Sequence, residues 1–252
     1  MSEREGFRQW VTPEPRAIFL SVHGLGAHTG RWEAMAEFFL NKGISSYAVE
    51  LRDFNTYHRD ILQLACLIAK NNPAKKIFLV GESLGGLVSF LLAIEKPDIF
   101  SGLICLSPAF ANRLSLSLAE CAKIFLALLY DKKKHFNVPF DSSMFTRDVA
   151  HIKKMHSDKR EIRSASAIVL VKIVLFQAYS NIVKRKLKTP VLFLLAGDDK
   201  IVIQEKTREI FNGLTVKDKT LIEYPGMYHS LSIELGKEKV FEDLLQWVDK
   251  RI

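Results

Sequence analysis

The sequence predicts an α/β fold: a mostly parallel central sheet flanked by helices, with a helical cap inserted between two core strands. Three observations carry this expectation. Short, continuously apolar runs alternate with longer amphipathic runs over residues 16–107 and again after residue 191. Residues 110–187 break the alternation with two long apolar stretches separated by polar segments rich in Lys and His. That same middle region holds the whole charge excess of the chain: residues 110–188 carry sixteen basic and six acidic side chains, while the flanks are close to balanced. The expected division is a core of residues 1–109 and 188–252 with a cap of residues 110–187.

Taken in order, residues 17–22 (AIFLSV) read as a buried parallel strand, which is apolar on both faces. Residues 31–42 place apolar side chains at 32, 35, 36, 38, 39 and 40, a helical face that ends at Gly43. A strand over 44–51 and a helix over 56–69 follow, the helix stopping before Asn71-Asn72-Pro73. Residues 77–80 are a strand, 84–94 a helix and 103–106 another strand. Inside the insertion, 118–130 and 165–179 read as helices. After it, strands over 191–195 and 220–224 alternate with helices near 202–211 and 237–248. There is no internal repeat and no low-complexity tract.

Composition narrows the function classes. An apolar share of 48% and a charged share of 25% over 252 residues suit a globular enzyme and exclude a disordered chain. No run of eighteen apolar residues lacks a charge, so no membrane-spanning helix is expected. The opening residues mix Glu3 and Glu5 with Arg4 and lack an apolar stretch, unlike a signal peptide. Cys66, Cys105 and Cys121 lie in apolar runs without metal-ligand spacing. They read as buried thiols in a reducing compartment, so a cytoplasmic location is expected. Lys132-Lys133-Lys134 and Lys184-Arg185-Lys186 are two basic clusters in the middle region, and an anionic membrane surface is the partner they suggest, through peripheral contact. The aromatic residues are not interleaved with them, so no nucleic acid partner is expected.

The chemistry starts at Gly81-Glu82-Ser83-Leu84-Gly85-Gly86, entered from the apolar run Ile77-Phe78-Leu79-Val80. A G-x-S-x-G pattern arises by chance in roughly one chain in ten of this length, and the plain alternative is a Gly/Ser turn. An apolar strand before it and an apolar helix after it reduce that chance. A strand that reverses at one serine into a helix holds the hydroxyl clear of the backbone. A serine at its ordinary acidity is a poor nucleophile, so it needs a base, a group that orients the base, and donors for an oxyanion.

In the serine hydrolases that use this turn, the acid and then the histidine follow the serine in the chain. Of seven histidines only His229 lies after the last core strands, in the loop Tyr224-Pro225-Gly226-Met227-Tyr228-His229. The strand over 191–195 runs into Asp198-Asp199. Either aspartate can equally cap the next helix; Asp199, just before Lys200-Ile201-Val202, is the preferred acid. For the oxyanion, the amide of Leu84 follows the nucleophile, and the glycine-rich loop His23-Gly24-Leu25-Gly26 offers the amide of Leu25. His23 reads as a buried histidine that holds this loop.

These residues resemble the α/β-hydrolases, and more narrowly the monoacylglycerol lipase and lysophospholipase family. The most discriminating stretch is His23-Gly24-Leu25-Gly26-Ala27-His28-Thr29-Gly30-Arg31-Trp32, similar to that family's His-Gly-x-Gly-x-His-x-Gly-Arg-aromatic segment. The elbow, Ser107-Pro108, Phe145-Thr146-Arg147-Asp148, residues 197–202 and residues 224–229 carry the rest, over nearly the whole chain. Two departures stand out: Ala27 replaces a usual Glu, and the family's Asp-x-Arg-Gly-His-Gly-x-Ser segment is missing, the chain running through Arg52-Asp53-Phe54-Asn55 into its helix about ten residues early. The resemblance implies two-step hydrolysis of a lipid-like carboxylic ester, such as a monoacylglycerol or lysophospholipid, by Ser83, His229 and Asp199, with no cofactor and no metal. The competing expectations are a short-chain carboxylesterase or thioesterase with the same triad, and a hydrolase fold retained as a non-catalytic binding module.

Overall fold

A computed structural model describes residues 6–51, 53–54, 56–113 and 117–252. Among these, seven strands form one sheet: β1 (Phe7–Trp10), β2 (Ala17–Val22), β3 (Ile44–Val49), β4 (Ile77–Glu82), β5 (Gly102–Leu106), β8 (Val191–Ala196) and β9 (Lys219–Tyr224). Their order across the sheet is β1-β3-β2-β4-β5-β8-β9. All pairs are parallel except β1 on β3. The connecting helices are α1 (Glu33–Leu40), α2 (Tyr57–Asn71), α3 (Leu84–Glu95), α7 (Gln204–Asn212) and α8 (Lys237–Asp249).

Successive side chains of a strand point to opposite faces, and the core divides accordingly. Ile18, Leu20, Leu79 and Leu103 face α2 and α3; Phe19, Phe78, Val80 and Ile104 face α1 and α8. The central strands β2, β4, β5 and β8 are buried throughout, which is why their sequences are apolar without alternation. Each buried Leu, Ile or Phe contributes about 2 kcal/mol of transfer free energy, so most of the stability resides in these two layers.

The parallel strands all end on one edge of the sheet. At that edge β4 delivers Ser83, and β5 delivers Ser107, whose φ of 40° turns the chain out of the sheet at Pro108. Between β5 and β8 lie α4 (Leu118–Tyr130), β6 (His135–Asn137), α5 (Val149–Ser157), β7 (Ser164–Ser166) and α6 (Ala167–Val183). The short strands β6 and β7 pair antiparallel, a feature absent from the helix-only expectation. Helix α4 starts with a capping box, Ser117 accepting from the Glu120 amide and Glu120 accepting from Ser117 N–H. Helix α6 packs on α4 and on α3.

Three expectations change here. Only Cys105 is buried; Cys66 of α2 and Cys121 of α4 are exposed. Residues Ala167–Lys186 are long and apolar enough to cross a membrane by length and composition. They instead lie along the protein, with Ala167, Ile173, Ser180 and Val183 buried and Gln177 donating to the Ala109 carbonyl at 2.9 Å. Finally, the two basic clusters are not neighbours. The carbonyls of Lys132 and Lys134 accept from the first amides of α6, whereas Lys184 to Lys186 follow its last turn, some 25 Å away at 1.5 Å per residue. Arg185 and Lys186 border a groove with Lys188 and Lys217, just before β8 and β9, at the end of the sheet opposite Ser83. Arg52 and Asn55, in the shortened segment, lie outside the described residues.

Candidate active site

Ser83 sits at φ 58°, ψ −122°, a conformation an L-residue adopts only under constraint from its surroundings. The constraint is close packing of backbone. A Cβ on Gly85 would stand 2.1 Å from the Val22 carbonyl oxygen, and one on Gly81 would stand 2.4 Å from that of Gly85. Hydrogen bonds then fix the turn: Ser83 N–H donates to Leu106, and the Ser83 carbonyl accepts from the amides of Leu87 and Ala109. Leu84 is the first residue of α3, where an amide has no partner inside the helix.

The structure brings Asp199 and His229 together at 2.8 Å, Oδ2 to Nδ1, both buried. Asp199 also accepts from Ile201 N–H at 2.8 Å, Val202 N–H at 2.9 Å and Gln204 Nε2 at 3.1 Å. It therefore closes a tight turn of its own and does not cap α7, whose N-cap position is Ile203. Asp198 makes only a backbone bond to Met227 in this network. With Nδ1 donating to Asp199, Nε2 of His229 is the acceptor nitrogen, and it has no hydrogen-bond partner. A serine–histidine contact is often long without substrate and tightens when one binds.

His229 is positioned from the inserted region as well. The ring of Phe145 meets it edge-on at 5.7 Å between centroids, and the Phe145 carbonyl accepts from Ser230 N–H at 2.8 Å. Arg147 and the amide of Tyr228 bond the buried carboxylate of Glu234. The loop after β2 is tied down in the same way. Ile162 N–H donates to the Gly26 carbonyl at 2.9 Å, and a Cβ on Gly26, at φ +70°, would stand 2.0 Å from the Ile162 oxygen. Arg31 grips Glu161 with two bonds of 2.6 and 2.8 Å, both side chains nearly buried. His28 faces Asp158 and Glu161; burial first, then Arg160, pushes its imidazole below the ordinary range.

His23 holds the loop, as expected. It is buried, accepts from Leu51 N–H at 3.2 Å through Nε2, and has Nδ1 2.9 Å from the Gly24 carbonyl. Glu50 stands 3.4 Å from the same ring. Burial opposes ionisation of Glu50, but contacts with His23 and Thr29 outweigh it and hold the carboxyl down at about 2.

Ser83 opens into a cavity of about 530 Å³. Leu25 and Leu84 line it beside the serine, Ala109, Ile201 and Val202 form one wall, and α4 and α6 cover it with Ile124, Phe125, Leu170 and Val174. Among the described residues its lining carries no charge; the polar ones are Ser83, Asn112 and Cys121. Asn112 and Gln204 are site residues not singled out from sequence, Cys121 was read only as a buried thiol, and Phe145 entered only as part of the resemblance. Gln204 was accessible as the first residue of a helix five positions after Asp199. The others depend on how the inserted region folds back.

The fold has known counterparts. The pattern of the family described as "Serine aminopeptidase, S33" matches residues 13–236. A human protein described as "Monoglyceride lipase" is 30% identical over 270 residues, covering 97% of this chain and 86% of its own. This chain belongs to the monoglyceride lipase family of α/β-hydrolases. In solved structures, the monoacylglycerol lipase of Paleococcus ferrophilus superimposes with a TM-score of 0.86 at 25% identity, covering 98% of both chains. A soluble variant of the Saccharomyces cerevisiae monoglyceride lipase, in complex with a substrate analog, gives 0.84 at 20% identity over 97% of this chain and 91% of that one. At that identity the yeast enzyme supports the fold alone. The family makes this chain a serine hydrolase of lipase type.

Proposed function

We propose that the chain hydrolyses long-chain monoacylglycerol-like esters through an acyl-enzyme formed on Ser83. The observation that carries this reading is the position of Ser83 at the wall of an apolar cavity without charged lining among the described residues, on the same sheet edge as a buried Asp199–His229 pair. His229 Nε2 takes the Ser83 proton as Oγ attacks the ester carbonyl. The amides of Leu25 and Leu84 receive the oxyanion, and Asp199 keeps the imidazole in the tautomer that can accept. His229 then returns the proton to the departing glycerol. Water repeats the sequence and frees the fatty acid, so no cofactor or metal enters.

The lining, uncharged among the described residues, favours a neutral head group over a lysophospholipid, because none of those residues would give a desolvated phosphate a cationic partner. Residues 110–187 act as the cap in this reading, with the first half of α6 over the cavity and the second half rooted on α3. Rates on monoacylglycerols and lysophospholipids of matched acyl length, with Ser83→Ala as control, test the assignment. Preference for the lysophospholipid would remove the head-group claim. A maximum at short acyl chains would favour the esterase alternative.

The cap also supplies a surface for peripheral membrane contact. Helix α4 buries only Ile124 and Ala127 and leaves Leu118, Phe125 and Leu129 exposed at 90%, 68% and 79%. Val174 and Tyr179 of α6 add to the exposed apolar side chains. Lys132 to Lys134 lie at the end of α4 and would meet anionic head groups, each contributing on the order of 1 kcal/mol.

A further inference from the structure

The residue inside the elbow, Glu82, is used by no step above. It is the last residue of β4, 5% exposed, and is covalently joined to the nucleophile. One residue of the histidine loop engages both its oxygens. Ser232 N–H donates to Oε1 at 3.0 Å and Ser232 Oγ–H to Oε2 at 3.0 Å. Ser232 stands three residues beyond His229, so this contact joins the nucleophile turn to the base loop across 150 positions of sequence. The charged groups that act on Glu82 are His229, from that loop, and Arg31, from the loop after β2; Arg31 is itself paired with Glu161 of the inserted region. Burial pushes the Glu82 carboxyl up, with the Ser232 bonds, His229 and Arg31 opposing it.

If the contact served only to tie two loops together, an amide would do as well. An acid in that position carries a desolvation cost that an amide avoids. Its distinguishing property is that, when ionised, it places a negative charge against the loop of a histidine that becomes cationic during turnover.

We infer that Glu82 is a positioning residue for acyl transfer: it clamps the His229 loop to the elbow through Ser232, and its charge supports the imidazolium that forms when His229 takes the proton of Ser83 or of water. Asp199 holds the ring from Nδ1, and Glu82 adds a second carboxylate field without touching substrate. The inference rests on the assignment of Ser83 and His229 above, and its test is independent of which ester is the substrate.

The experiment is the pH dependence of the rate at which a fluorophosphonate labels Ser83, in the unaltered protein, Glu82→Gln and Glu82→Asp. Loss of the charge makes protonation of His229 harder, so in E82Q the midpoint of the acidic limb moves down by about half a pH unit or more. The plateau rate falls about tenfold, within the range of a weakened general base. E82D restores the charge and returns the midpoint towards that of the unaltered protein. An E82Q chain with unchanged midpoint overturns the charge role, whatever its plateau. If E82Q does not fold, Glu82→Met gives the same comparison, since an apolar side chain of similar size tolerates that burial. Absence of labelling in the unaltered protein would instead sink the nucleophile assignment, and this inference with it.

Discussion

Asp199 uses four hydrogen bonds for two tasks. Oδ1 closes the turn at Ile201 and Val202, and Oδ2 holds His229 with help from Gln204. An amide at this position would present a donor to Nδ1 and select the wrong imidazole tautomer. Asp199→Asn is therefore expected to lower kcat by about 10⁴ with little change in KM, measured on a soluble ester. A loss below tenfold would exclude Asp199 as the orienting acid. Glu50 gives a second prediction at this scale. Its carboxyl is held at about 2 in the fold against an ordinary 4.5. A depressed acid stabilises the fold above its unfolded value and loses that contribution as the pH falls. The melting temperature should drop through the window from about 4.5 to about 2, and less steeply in Glu50→Gln. Parallel curves for the two proteins would contradict this.

At the scale of elements, the inserted region is fastened to two loops that carry the site. Arg31–Glu161 and the Ile162–Gly26 bond secure the loop after β2, which carries the proposed oxyanion donor Leu25; Phe145, Arg147 and Glu234 secure the His229 loop. Removing one partner of a buried ion pair leaves the other uncompensated. Glu161→Ala is expected to cost about 3–5 kcal/mol in urea unfolding, and the apolar double replacement Arg31→Met with Glu161→Leu to recover much of it. If the double replacement is as unstable as the single one, the pair is a true stabiliser and the argument fails. These fastenings were not legible in the sequence, because each joins residues far apart in the chain. The central strands were legible because burial on both faces makes them continuously apolar. β1 was not, since Phe7-Arg8-Gln9-Trp10 is a half-exposed edge strand; β6 and β7, three residues each and partly polar, were not either. Ser83, Asp199 and His229 could be named as candidates from sequence because the fold imposes a chain order on serine, acid and histidine. The Glu82–Ser232 contact was not, since nothing in G-x-S-x-G says what the middle side chain touches.

At the scale of the molecule, the sheet has two different ends. One end carries Ser83, the cavity and the apolar faces of α4 and α6; the other carries Lys184 to Lys186. A bilayer approached by the first end would supply a lipid ester beside the cavity. Leu129→Glu is expected to reduce recovery on anionic vesicles several-fold while leaving hydrolysis of a dispersed short-chain ester unchanged. Equal recovery of both proteins on neutral and anionic vesicles would remove the membrane surface from the account. The cavity, uncharged among the described residues, makes the sharper claim, because it ties fold, site and substrate together. The direct test is kcat/KM for monooleoylglycerol against oleoyl lysophosphatidylcholine and a butyrate ester, with Ser83→Ala alongside. The account predicts that monooleoylglycerol is preferred by about tenfold or more and that Ser83→Ala loses about 10⁴ or more of that activity. Hydrolysis that survives Ser83→Ala, or a preference for the phospholipid or the butyrate, would contradict it.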